Sequence, residues 1–319
     1  MFDFVGKSKY CAGRHMWLVV SVAMLLPIAA CNKQGPATAP AGPKTFASPE
    51  DAGKALADAA KSQNEDELQQ IIGPGSLDII SSGDAANDKA SLGRFAQAYQ
   101  VMNRLRKLSD GSEVLIVGTD NQAFPVPLKK NAAGQWYFDA AAGKDEILSR
   151  RIGRDEITAI SVCAAVVDAQ HLYFAQRHDA VNQYAQKFIS DPGKQNGLYW
   201  SEVQGQPKSP LGPLVAYATS EGYKVQAEKH QPFYGYYFAI LDKQGAGAIG
   251  GSKDYIVDGK MTRGFALVAY PATYGDSGVM TFMVDQNGMV LQKDLGKTTV
   301  QVASAMTEFN PDKTWTIVE

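Results

Sequence analysis

The sequence predicts an α+β fold on three observations. Apolar residues recur at helical spacing through 48–105 and again through 144–189. Elsewhere the period falls to two, at 114–138 and 232–293. Turn signals of the hairpin kind, Asn131-Ala132-Ala133-Gly134 and Asp285-Gln286-Asn287-Gly288, sit between the alternating runs. With 319 residues, 45% of them hydrophobic, the chain can bury more than one core.

The first thirty residues stand apart. Lys7, Lys9 and Arg14 precede an apolar run from Met16 to Leu26. Eleven residues fall short of the roughly 20 that a membrane-crossing helix needs, so residues 1–30 are expected to be a signal peptide. Ile28-Ala29-Ala30-Cys31 resembles the bacterial lipobox. That resemblance implies cleavage before Cys31 and a diacylglycerol thioether, with palmitate-type acyl chains, on its thiol. It further implies an outer-membrane lipoprotein facing the periplasm, because Asn32 is not the aspartate that retains such proteins in the inner membrane. Acyl chains contribute about 0.8 kcal/mol per buried methylene, enough for two or three to anchor the chain. The alternative is an ordinary secretory signal with a chance cysteine. No later segment is expected to span a bilayer.

Composition narrows the possibilities. Losing residues 1–30 removes Lys7, Lys9, Arg14 and Asp3, which leaves 28 basic and 32 acidic residues and a net charge near −4. No basic cluster with interleaved aromatics exists, so nucleic acid is not expected as a partner. With Cys11 removed and Cys31 alkylated, Cys163 is alone and no internal disulfide can form.

Residues 31–47 carry the lipid and a tether rich in Pro, Ala and Gly. An N-terminal α+β domain follows over 48–143. Ser48 as N-cap, Pro49 at the first helical position and Asp51 in the first turn start one helix. A second runs from Glu65 to Ile72 and stops at Gly73-Pro74-Gly75. A third is expected from Lys89 to about Leu105. Strands are expected at 114–117, at 123–128 with its two prolines on an edge or bulge, and at 135–139. This order is similar to the cystatin-like and nuclear-transport-factor-like folds.

A helical connector is expected over 144–192, with a break or solvated stretch near His178, Asp179 and Asn182. The C-terminal domain, 193–319, reads as strands at 232–240, 264–271, 278–284 and 289–293, a mobile hairpin loop at 245–251, and a closing helix at about 298–306. Asp191 to Trp200, Ser209 to Leu214, Tyr234 to Phe238, Gly275 to Phe282 and Ile152 to Glu156 resemble a bacterial lipoprotein family known as domain of unknown function 2950. That family brings no catalytic or binding residues with it. The long helix followed by these strands is also similar to type IV pilin-like heads, a helix on an antiparallel sheet, although the assembly helix of those proteins is missing here.

Candidate chemistry is sparse. Gly275-Asp276-Ser277-Gly278 is similar to the nucleophile segment of chymotrypsin-like proteases, but no matching histidine segment exists, and a polar turn is the expected reading. Asp168 and His171 share a helix face and lack the further ligands that a metal needs, with only His178 and His230 as other histidines beyond Cys31. Gly245 to Gly251 lacks the order of a phosphate loop. No catalytic residue, metal or cofactor is therefore assigned. The densest feature is aromatic: Tyr234, Tyr236 and Phe238 on one strand face, with Tyr199 and Trp200, are expected to present an exposed patch for an envelope protein or peptidoglycan. The sequence thus predicts a lipid-anchored, non-enzymatic binding or assembly module. The alternative is a periplasmic hydrolase or metal-dependent enzyme drawing on Asp168, His171 and Ser277.

Overall fold

The computed structural model describes residues 42–224 and 231–318; the signal, Cys31, most of the tether and His230 lie outside them. The described residues belong to one compact unit with two hydrophobic cores. The α+β class holds, with antiparallel sheets throughout.

In the first core, α1 (Pro49–Ser62) starts where Ser48 Oγ accepts from the Asp51 amide at 3.1 Å, and stops at Gln63, whose φ is 55°. Ala52, Leu56, Ala59 and Ala60 form its buried stripe. Next come α2 (Glu65–Ile72), α3 (Leu77–Ile80) and α4 (Ala85–Val101). The third predicted helix is displaced: it begins earlier and ends at Val101, and β1 (Asn103–Lys107) replaces its last turn. Leu105, placed between Arg104 and Arg106, packs on the core from β1 and pairs with Leu115 of β2 (Glu113–Val117). The predicted strand at 123–128 is split into β3 (Gln122–Ala123) and β4 (Leu128–Lys130). Pro125 and Pro127 have no amide hydrogen for a ladder. β5 (Trp136–Phe138) completes the order β1-β2-β4-β5.

Helix α5 (Ala140–Ala175) is 36 residues, about 54 Å, and serves both cores. Its Ile147 packs on the first, and Ala159 to Tyr173 build the second. One 18-residue stretch of α5 has a mean hydropathy of 1.4, long and apolar enough to cross a membrane, contrary to expectation; its buried face belongs to the second core. The helix does not continue to residue 189. It ends before Arg177, Asp179 and Ala180, which all have φ between 53° and 60°. The returning chain is held instead by Gln170, fully buried, whose Nε2 donates to the Ala185 carbonyl at 2.9 Å while its Oε1 accepts from the Ala185 amide at 2.8 Å.

The second core rests on a sheet of order β14-β13-β12-β11-β6. In chain order come α6 (Gly212–Ser220), β6 (Tyr236–Leu241), the short pairs β7 (Lys243–Gln244) with β8 (Lys253–Asp254) and β9 (Ile256–Val257) with β10 (Lys260–Met261), β11 (Ala266–Pro271), β12 (Met280–Asp285), β13 (Val290–Asp294), α7 (Thr299–Ser304) and β14 (Thr316–Ile317), a strand that the sequence reading missed. β11 is buried along its whole length, as befits a strand covered on both faces. The 245–251 loop is tied to its surroundings: Gln244 Nε2 donates to the carbonyls of Ile249 and Gly251, and Asn310 Oδ1 accepts from Gly247.

Candidate functional site

The strand expected at 232–240 begins late, and this decides what the tyrosines do. Tyr234 and Gly235 have φ of 47° and 71°, and Phe233 and Tyr236 exchange amide–carbonyl bonds of 2.8 and 3.2 Å. Positive φ at both central residues is the signature of a tight hairpin turn. The alternation predicted for Phe233, Tyr234 and Gly235 is therefore lost. Tyr234, Tyr236 and Trp200 are buried, so these three do not form an exposed patch. Tyr236 Oη donates to the Met280 carbonyl at 2.8 Å, and Trp200 Nε1 to Pro207 at 3.1 Å. Tyr199 is half-buried against the second core; Phe238 is half-buried and lines a groove.

That groove, about 790 Å³, runs beside β6. Phe238 and Ile240 form one side, with Val162 and Val166 of α5. Phe188 and Ile189 of the returning chain and Leu214 and Val215 of α6 form the other boundaries, and Lys187, Asp191 and Lys224 add charge. Among the described residues β6 is an edge strand, paired only with β11. Gly235 accepts from the Ala272 amide, which fixes the ladder phase: residues 237, 239 and 241 turn their backbone groups toward β11, and 236, 238 and 240 turn theirs outward. Outward groups at the ends are met, Tyr236 by Phe233 and the Asp242 carbonyl by the Tyr255 amide at 2.8 Å. Among the described residues nothing meets the amides and carbonyls of Phe238 and Ile240.

At the turn end of the groove lies a buried polar joint between the two cores. Asp84, the N-cap of α4, accepts from Tyr223 Oη at 2.6 Å and the Gly235 amide at 3.1 Å. The Tyr223 hydroxyl is pushed far above its usual range by burial and then by that carboxylate. Tyr223 Oη in turn accepts from the Tyr234 amide, and its ring also lines the groove. From α5, Arg151 donates to Asp276 and to the Ile79 and Ser81 carbonyls. Glu156 accepts from the Val279 and Met280 amides, each at 2.9 Å. Asp155 is fully buried; its Oδ1 accepts from Asn87 Nδ2 at 3.4 Å and Arg154 Nε at 3.2 Å, while its Oδ2, like Asn87 Oδ1, has no hydrogen-bond partner among the described residues. Burial raises its carboxyl to about 6, against the pull of Arg154. Sequence reading missed this joint, though Asp155 and Asp276 lay in segments it singled out; charged residues spread over α4, α5 and the turn before β12 carry no local period.

The other candidates do not converge. Ser277 Oγ is spent within its own turn, accepting from the Thr273 amide and donating to its carbonyl. His171 Nε2 meets the Gln286 carbonyl at 3.1 Å, some 24 Å along α5 from Asp155, and Asp168 is exposed. His178 stacks on Tyr173. Cys163 is buried and its thiol is pushed up to about 12. Among the described residues no cluster of His, Cys, Asp or Glu could hold a metal.

No curated protein and no solved structure matches the chain. A family model described as protein of unknown function (DUF2950) matches residues 43–318. A match over that span means that the chain belongs to the DUF2950 family of proteins of unknown function.

Proposed function

We propose that this chain is a lipid-anchored cell-envelope protein, held through Cys31 on the periplasmic face of the outer membrane, and that it works as a binding module through the groove beside β6. The observation that carries the reading is the groove itself: an apolar channel of about 790 Å³ against a sheet edge with free backbone groups. The scattering of Asp168, His171 and Ser277 favours binding over catalysis, because a nucleophile without its base has little reactivity. A pilin-like head without its assembly helix suits the same role, since fold and function are separable. The mostly apolar lining fits an envelope polypeptide better than a peptidoglycan glycan.

Two measurements test this reading in cells. The full chain should partition into detergent, and Cys31→Ala should shift it to the aqueous phase. A photo-crosslinking side chain at Phe238 should capture an envelope protein that the same group at exposed Ile157 does not. Aqueous partitioning of the unaltered chain would remove the anchor, and identical capture from both positions would remove the groove.

A further inference from the structure

Resting on the groove reading, we infer that the occupant is a single extended polypeptide segment that adds to the sheet as a strand beside β6. The register argument is specific. The outer edge of β6 is closed by Phe233 at Tyr236 and by Tyr255 at Asp242. Between these stops only Phe238 and Ile240 face outward, each offering one amide donor and one carbonyl acceptor. Donor and acceptor pairs two residues apart are the spacing of an extended chain and of no sugar or acyl ligand. An open edge of this kind is ordinarily blunted by charge, proline or a covering element. Here α6 and the 187–189 segment stand off from it and leave the groove.

Side-chain chemistry selects the sequence. Phe238 and Ile240 turn their side chains to the Tyr236 face of the strand, where Val162 and Val166 lie. A guest strand therefore places alternate residues over this apolar floor and the others toward solvent. The fitting partner is a short segment of alternating β-branched apolar and small polar residues. A second copy of this chain fits poorly. Edge-to-edge pairing of two β6 strands would engage only two outward residues on each, recessed in a groove, far from the roughly 800 Å² per partner of a stable interface.

The experiment uses the Cys31→Ala full chain and a capped, fluorescent seven-residue peptide of alternating valine and threonine. A second peptide of the same sequence is N-methylated at the amides that would face β6. We expect saturable binding of the first peptide, at least tenfold weaker binding of the second, and at least tenfold slower hydrogen exchange at the Phe238 and Ile240 amides in the complex. Ile240→Pro removes one outward donor while sparing the β11 ladder, and should weaken binding tenfold in a chain that still unfolds cooperatively. Equal binding of both peptides overturns strand addition and leaves the groove as an apolar site. Binding of neither, with Phe238 crosslinking also silent, overturns the groove reading too. Amides already protected in the free monomer would mean that the chain covers its own edge, and a dimer in solution protected there would mean a second copy; either result ends the proposal.

Discussion

At the scale of single residues, Asp155 is the most consequential side chain. Its carboxyl titrates near 6 in the fold and near 4 in an unfolded chain. Between those values the native state holds a proton that the unfolded state has released, so this group's stabilisation is complete below about pH 4 and is lost as pH rises through 6. Two units correspond to roughly 3 kcal/mol. Urea unfolding at pH 5 and 7.5 should show the native chain gaining stability at the lower pH relative to Asp155→Asn, by about half that amount, since pH 5 lies midway between the two values; parallel profiles would remove Asp155 as the cause. Gly235 shows why the joint tolerates little change. A Cβ there would lie 2.6 Å from Ser277 Cβ and 3.0 Å from Asp155 Oδ2, on a backbone whose φ of 71° already disfavours side chains. Asp155, Gly235 and Ser277 each lay in a quoted segment, but their meeting with one another and with Asn87 was not legible, because a contact such as that of Asn87 with Asp155, 68 positions apart, leaves no periodic trace.

At the scale of elements, the sequence was readable wherever one local rule acted alone. The N-cap and first-turn proline of α1, the span of α2 and the hairpin after β12 all follow from residues within a few positions of one another. Reading failed where tertiary partners overrode propensity. Leu105 sits as well on a helix stripe as on a strand, and its place opposite Leu115 decides the matter. The run from Val181 to Ile189 is apolar enough for a helix, but Gln170 fastens its backbone from inside the core. Gln170→Ala leaves the buried Ala185 amide and carbonyl unpaired, and should cost about 2–4 kcal/mol in chemical denaturation. A loss under 0.5 kcal/mol would mean that the returning chain is held elsewhere. The same override governs the aromatics: composition located them, but the turn at Tyr234–Gly235 takes Tyr234 out of the strand, and Tyr234, Tyr236 and Trp200 are buried.

At the scale of the whole molecule, the joint makes two cores behave as one body. Arg151 alone reaches from α5 to the chain around α3 and to the turn before β12. Arg151→Met should remove the ion pair to Asp276 and strand the Ile79 and Ser81 carbonyls, cost about 2–4 kcal/mol, and split a single calorimetric transition into two. A single transition at an unchanged temperature would show that the cores are coupled by other means. The α+β class and the order of the main elements were legible at this scale from period and turn chemistry. The groove was not, since it exists only where α6, the returning chain and an unpaired strand edge come near one another.

The span of those joint contacts also orders events in time. Residues that close the first core run from Phe46 to Ile147, whereas Asp84 waits for Gly235, 151 positions later. A chain emerging N-terminus first can therefore complete one core while Asp84, Asn87 and Asp155 are still wet. Their burial, and with it the alignment of the β6 edge, is deferred until the last third of the polypeptide has arrived. Long-range closure of this kind is the slow step of folding, so the binding edge is finished last.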